Sequence, residues 1–230
     1  MTGLFYKWWW KYLTVAIILT VLIIGLLMPV PDLPVLRESI RNTYFHIPMW
    51  FGLTLLLLVS LVYSISYLSS GKMHHDRGAS SFAHAALMMG FLGLATGTVW
   101  GVYTWAGGDW SNTGWIRDPK ILGAALAVLV YLAYFVLRGS LVNPEQRARV
   151  SAVYNIFGYA MAVVFMFVMP RLSGVDSLHP GSGGNPAFSN YDLDNRMRAV
   201  FIPAIIGWTL LGAWMASLRY RALQLQFQED

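Results

Sequence analysis

KYLTVAIILTVLIIGLLMPVPDLP, residues 11–34, decides the fold. An apolar run follows Lys7 and Lys11 and stops at Pro29, Pro31 and Pro34. Helical crossing of a bilayer takes about 20 apolar residues, and this run is close to that length. A basic start before an apolar stretch also begins a signal peptide, but no small-residue cleavage motif follows here. The run is read as a retained membrane anchor.

Comparable runs recur along the chain, at approximately 45–67, 82–102, 120–138, 150–169 and 198–218, after the first at 10–28. Gly139, Pro144 and Pro170 punctuate them. The 230 residues are 57% hydrophobic and 12% charged, with mean hydropathy +0.53. A soluble domain carries about 25% charged residues, so composition excludes that class. Backbone polar groups in lipid must be satisfied within the chain, which makes the spans helices. The expected fold is all-α, a polytopic integral membrane protein of six transmembrane helices, forming a single domain over residues 1–230. Membrane lipid is the expected surrounding, and no nucleic acid partner is expected.

An even number of spans places both termini on one side. With cytoplasmic termini, the inner segments hold Lys7, Lys11, Lys72, Arg77, Arg138, Arg147, Arg149, Arg219 and Arg221, nine in all. The outer ones hold Arg37, Arg41, Arg117, Lys120, Arg171, Arg196 and Arg198, seven in all. The excess of inner cations orients the chain with both termini in the cytoplasm. The outer loops are then 29–44, 103–119 and 170–197. The inner loops, near 68–81 and 139–149, are shorter. No phosphate-binding P-loop is present, so this chain does not hydrolyse ATP by that route, and no enzymatic role is expected of it. The absence of cysteine excludes disulfides, thiolate metal sites and cysteine catalysis.

One outer segment is too polar to span: WAGGDWSNTGWIRDPK, residues 105–120. Belt tryptophans sit at helix ends, which accounts for Trp8, Trp9, Trp10 and Trp214. Trp105, Trp110 and Trp115 instead recur through a glycine-containing loop, as in an aromatic platform. His46, just before the second span, and His179, in the last outer loop, fall on the same face. Neutral imidazole is the commonest metal ligand and an axial ligand of haem iron. Arg41, Arg117, Arg171, Arg196 and Arg198 could meet propionates, or simply lipid headgroups. His74 and His75, in KMHHDRG, read as a solvated loop at headgroup level. His84 reads as a hydrogen-bonded intramembrane histidine. Gly93, Gly97 and Gly101 share one face of the third helix and read as a close helix–helix contact.

This combination resembles the haem exporter protein C family of cytochrome c biogenesis. The wider superfamily carries a tryptophan-rich outer loop ending in W-D, often continued by P-K. Here Trp115 stands three before Asp118, and Asp118-Pro119-Lys120 matches the end. Arg117 occupies the place of the last tryptophan, which marks a divergent branch. TGTVWG at 96–101 resembles the approach to that loop. RNTYFHIPMW, residues 41–50, resembles the segment around the family's first outer histidine, and LHPGS, residues 178–182, the second.

The resemblance implies that His46 and His179 are axial ligands of haem b. It implies a platform of Trp105, Trp110, Trp115 and Asp118, with Arg117, Arg41 and Arg196 near the propionates. It also implies a bacterial inner-membrane location and a periplasmic haem chaperone that receives the haem. The companions would be a permease, an ATPase subunit and a small single-span subunit. Asp118, before Pro119, is also a natural helix N-cap or a partner for Arg117. Two other readings stay open: a haem-bearing anchor of a respiratory quinone enzyme, and a non-haem transporter subunit. The first needs paired histidines within helices, where His84 stands without a second. Ion-coupled transport usually marks itself by a carboxylate deep within a span, and none is found.

Overall fold

The computed structural model describes residues 2–172, 176–179 and 193–226. Seven helices appear in it: α1 (Thr2–Phe5), α2 (Trp9–Leu27), α3 (His46–Ser70), α4 (Met73–Trp105), α5 (Pro119–Ser140), α6 (Pro144–Val163) and α7 (Asn195–Gln226). No strand occurs among the described residues. The six from α2 to α7 lie on stretches long and apolar enough to cross a membrane. Outward-facing Leu19, Ile23, Val62, Val136 and Phe157 give the bundle an apolar rim suited to lipid.

The helices extend beyond the expected spans, and the connections shrink accordingly. The loop expected near 68–81 is only Gly71 and Lys72, and His74 and His75 belong to the first turn of α4. Gly71 takes the left-handed conformation (φ 68°) that ends α3, at little cost for a residue without Cβ. The polar run stays helical because Asp76 forms a bidentate ion pair with Arg138, at 2.6 and 2.6 Å. Asp76 lies in the first turn of α4 and Arg138 in the last turn of α5, so each charge also opposes its helix dipole. The connection expected near 139–149 shortens to 141–143. Asn143 accepts hydrogen bonds from the Glu145 and Gln146 N–H groups, and Pro144 fills the first helical position. On the other side, Arg37–Tyr44 forms a 3-10 helix that leads directly into α3. Helix α6 continues through a π-helical turn, Val164–Val168.

Helices α3 and α4 pack as a long hairpin, with α7 across both and against α2, while α6 lies between α3 and α5. The first two helices and the last part of α7 meet at one end, where Phe5 lies against Tyr220 and Trp10 against Trp214. A buried polar knot ties the middle together. The Asn155 amide donates to Ser60 and Ser64 Oγ, both at 2.8 Å, and its carbonyl accepts from Tyr131 at 2.9 Å. Ser60 passes its own proton to the Ala79 carbonyl. Four helices are thereby joined by groups that would each cost about 1–3 kcal/mol if left unpaired. The end opposite the termini carries His46, His179 and the tryptophan-rich loop.

Candidate functional site

The site grows from one face of α4. Gly93, Gly97 and Gly101 line that face, and the expected helix–helix contact is present there, with α3 approaching through the Trp50 and His46 rings. A Cβ at Gly93 would fall 2.8 Å from the Trp50 indole, at Gly97 2.5 Å from His46 Cε1, and at Gly101 3.0 Å from Trp115. The stripe is a floor for three rings. Its spacing of four puts one ring on each successive turn.

His46 is the first residue of α3. Its Nδ1 lies 3.0 Å from the Gly93 carbonyl and 3.2 Å from Thr96 Oγ1. A carbonyl only accepts, so Nδ1 carries the proton and Nε2 keeps its lone pair. Trp50 and Trp100 stand edge-on to the imidazole, at 6.1 and 5.8 Å between ring centres. The Trp100 indole N–H donates in turn to Ser39. Neither tryptophan was expected at the site. Trp50 could have been found, because it follows His46 by four residues on the same helix face.

His179 is held differently. Its Nδ1 donates to Asp118 Oδ1 at 3.0 Å, and the edge of its ring meets Trp105 at 4.7 Å between centres. The Asp118 side chain is fully buried. It caps α5 by accepting from the Lys120 N–H, as the sequence suggested. Its other partners are the Ser177 hydroxyl and the Leu178 N–H rather than Arg117. Burial pushes the Asp118 carboxyl upward, but His179 and these donors outweigh it and hold the group below the usual aspartate range. Burial is also the largest influence on His179, and it keeps the imidazole below its ordinary value despite the carboxylate. At neutral pH the pair is an ionised carboxylate accepting from a neutral imidazole. Nε2 of His179, like that of His46, has no hydrogen-bond partner among the described residues. The two rings are close enough to interact electrostatically.

The tryptophan loop divides. Trp105 lies against His179, and Trp115 is buried on Gly101 beside Val102 and Ala106. The Trp115 indole N–H is buried and has no partner among the described residues. Trp110 is 65% exposed and forms the outward tip. Arg117 and Arg196 are exposed as well. Arg41 is already engaged: it donates to the Gly25 and Met28 carbonyls at the end of α2 and pairs with Glu38. A cleft of about 610 Å³ opens on the flank of α4 beside Thr96 and Trp100, with Arg41 at its edge. The remainder of the Leu-His-x-Gly-Ser segment, 180–182, lies outside the described residues.

The other histidines build nothing comparable. His84 Nδ1 bonds the Ser80 carbonyl of its own helix, and its ring packs on Phe135. The His74 and His75 rings lie tilted against each other, 4.0 Å apart between centres. Among the described residues, no group of three or more His, Asp and Glu side chains converges as a metal cage. What the site offers is two imidazoles whose Nε2 atoms have no partner among the described residues, indoles edge-on to both of them, and glycines on which the Trp50, His46 and Trp115 rings rest. That set suits a flat ligand whose metal takes two axial nitrogens.

A model of the family described as Heme exporter protein C matches residues 1–229. A Heme exporter protein C of Rhodobacter capsulatus is 27% identical over 153 residues, covering 63% of this chain and 56% of that protein. That of Paracoccus denitrificans is 26% identical over 133 residues, covering 57% and 52%. That of Bradyrhizobium diazoefficiens is 28% identical over 124 residues, covering 52% and 43%. The matched region thus spans about half the length of these curated relatives.

Proposed function

We propose that this chain, which belongs to the Heme exporter protein C family, handles haem for cytochrome c maturation and holds haem b between His46 and His179. One observation carries the reading. Each imidazole has its Nδ1 proton committed to a fixed acceptor, Gly93 or Asp118, and so offers Nε2 to iron. Second acceptors of this kind set ring orientation and tautomer in metal sites generally.

The residues fit the cargo. Trp105, half-buried beside the buried Trp115, offers aromatic surface, and burying apolar area against a porphyrin contributes about 25 cal/mol per Å². The glycines let the His46, Trp50 and Trp115 rings seat closely on α4, and the buried Trp115 N–H has no acceptor among the described residues. Trp110 and Arg117 are exposed, which suits contact with the haem edge or with a partner. Arg196, at the start of α7, is a further propionate contact. Arg41 would reach a propionate only by giving up carbonyl acceptors of α2. The site faces the periplasm if the termini are cytoplasmic, and there a haem chaperone takes the cargo. A permease, an ATPase subunit and a small single-span subunit complete the complex. No bond of the cargo is broken by this chain.

The test is an absorption spectrum of the purified protein loaded with haem b, oxidised and reduced. A low-spin bis-histidine spectrum is expected, lost or converted to high spin in His46→Ala and His179→Ala. No Soret band after loading, or spectra unchanged in both variants, would overturn the reading.

A further inference from the structure

Asp118 does more than cap a helix. Its two oxygens gather four donors from two separate segments. Oδ1 accepts from the Lys120 N–H at 2.9 Å and from His179 Nδ1 at 3.0 Å. Oδ2 accepts from Ser177 Oγ at 2.9 Å and the Leu178 N–H at 2.6 Å. The Ser177 oxygen in turn accepts from the His179 backbone N–H at 3.2 Å. Every residue from Ser177 to His179 is therefore tied, directly or through Ser177, to a single carboxylate at the head of α5. His179 itself sits on a connection rather than a helix, and no element of regular structure orients it.

We propose that Asp118 is the positioning residue of His179: it fixes the Nδ1–H tautomer, turns Nε2 toward the ligand, and makes His179 the stronger of the two nitrogen donors. This rests on the bis-histidine reading above. The physical basis is the unequal acceptors. A carboxylate draws on the Nδ1 proton more strongly than a peptide carbonyl does, since charge-assisted hydrogen bonds are about twice as strong as neutral ones. That pull raises the basicity of the opposite ring nitrogen. A more electron-rich axial nitrogen favours ferric over ferrous iron. His46, bonded to the Gly93 carbonyl, lacks this help.

The test uses the full chain in detergent, loaded with haem b, with the reduction midpoint and the ferric low-spin EPR spectrum as readouts. Asp118→Asn keeps the shape of the side chain and removes its charge. Its midpoint is expected above that of the wild type, and its largest g value should shift. Asp118→Ala is expected to lower haem occupancy about tenfold, with millimolar imidazole restoring the low-spin spectrum. Asp109→Asn, in the same loop with its side chain bonded to Ser111, should leave both readouts unchanged. A wild-type midpoint and EPR spectrum in Asp118→Asn would overturn the proposal, as would a loss in Asp118→Ala that imidazole does not restore. If Asp118→Asn does not accumulate, Ser177→Ala carries the test: a smaller rise in midpoint supports it, and none overturns it. An unchanged spectrum in His179→Ala would instead remove the bis-histidine reading itself, so the two failures are distinguishable.

Discussion

The two histidines occupy seats of opposite construction. His46 is built into a helix and leans on a second helix of the same hairpin, with a neutral carbonyl as its anchor. His179 lies on a connection and is anchored by a buried carboxylate that also caps α5. The first seat is rigid because of packing, and the second because of hydrogen bonds. As the proposed ligands of one metal they would need the same lone-pair geometry, which the two seats would supply by different physical means.

The difference can be broken most severely from the packed side. Gly97→Ala would place a methyl 2.5 Å from His46 Cε1, with the ring confined by Trp50 and Trp100. Haem occupancy should fall at least about tenfold, equivalent to about 1.4 kcal/mol. The residual spectrum should be five-coordinate and high-spin, with His179 retained. A Gly97→Ala protein with wild-type occupancy would show that the floor is not needed.

Trp105→Ala probes the other seat. It removes an edge contact to His179, and aromatic pairs of this kind contribute about 1 kcal/mol. Haem dissociation measured by transfer to apomyoglobin should accelerate about fivefold. The same truncation at Trp110, which is exposed, should change the rate less. Equal effects at both positions would mean that the platform uses the loop tip as much as its base.

Thr96→Val is a finer comparison. It removes the hydroxyl near His46 Nδ1 but leaves the Gly93 carbonyl in place. A change below about 0.5 kcal/mol is expected, within the range of a redundant neutral hydrogen bond. A loss as large as that of Gly97→Ala would identify Thr96, not Gly93, as the working acceptor.

The smallest expected response is to acid. His179 is held below its ordinary value of 6.5, so its neutral form persists as the pH falls through that value. A group depressed on folding contributes its full stability above its unfolded value, and that contribution is lost as the pH drops from there through the folded one. The same sign applies to Asp118, depressed from 3.8. The low-spin spectrum should therefore be unchanged between pH 7.5 and 6.5 and weaken only on further acidification. A transition centred near 6.5 would mean that His179 behaves as an ordinary solvated histidine.

Much of the fold was legible because hydropathy reports directly on which segments can enter lipid. The helix ends were not. KMHHDRG looked like a loop by polarity, yet Asp76 finds Arg138 from another helix, and that partner is invisible along the chain. The histidines and the tryptophan-rich segment were legible because those residue types are unusual on a polar stretch. The link between Asp118 and His179 was not, since it closes across 61 residues and depends on how a connection folds back. The glycine stripe was visible as a helix contact, but not the rings that fill it. A period of four shows that something approaches closely, without showing whether it is a backbone or a ring.

The two-residue turn at Gly71 and Lys72 has a consequence in time. His46, Trp50, Gly93, Thr96 and Gly97 all lie on the two arms it joins, so their contacts close within one pair of neighbouring spans. Local pairs of this kind carry a small loop-closure cost and form early. During vectorial synthesis the first seat is complete once Trp105 has been inserted. The second must wait for residues 177–179, some seventy positions later. A chain interrupted between those points would already hold one of the two proposed ligands in place.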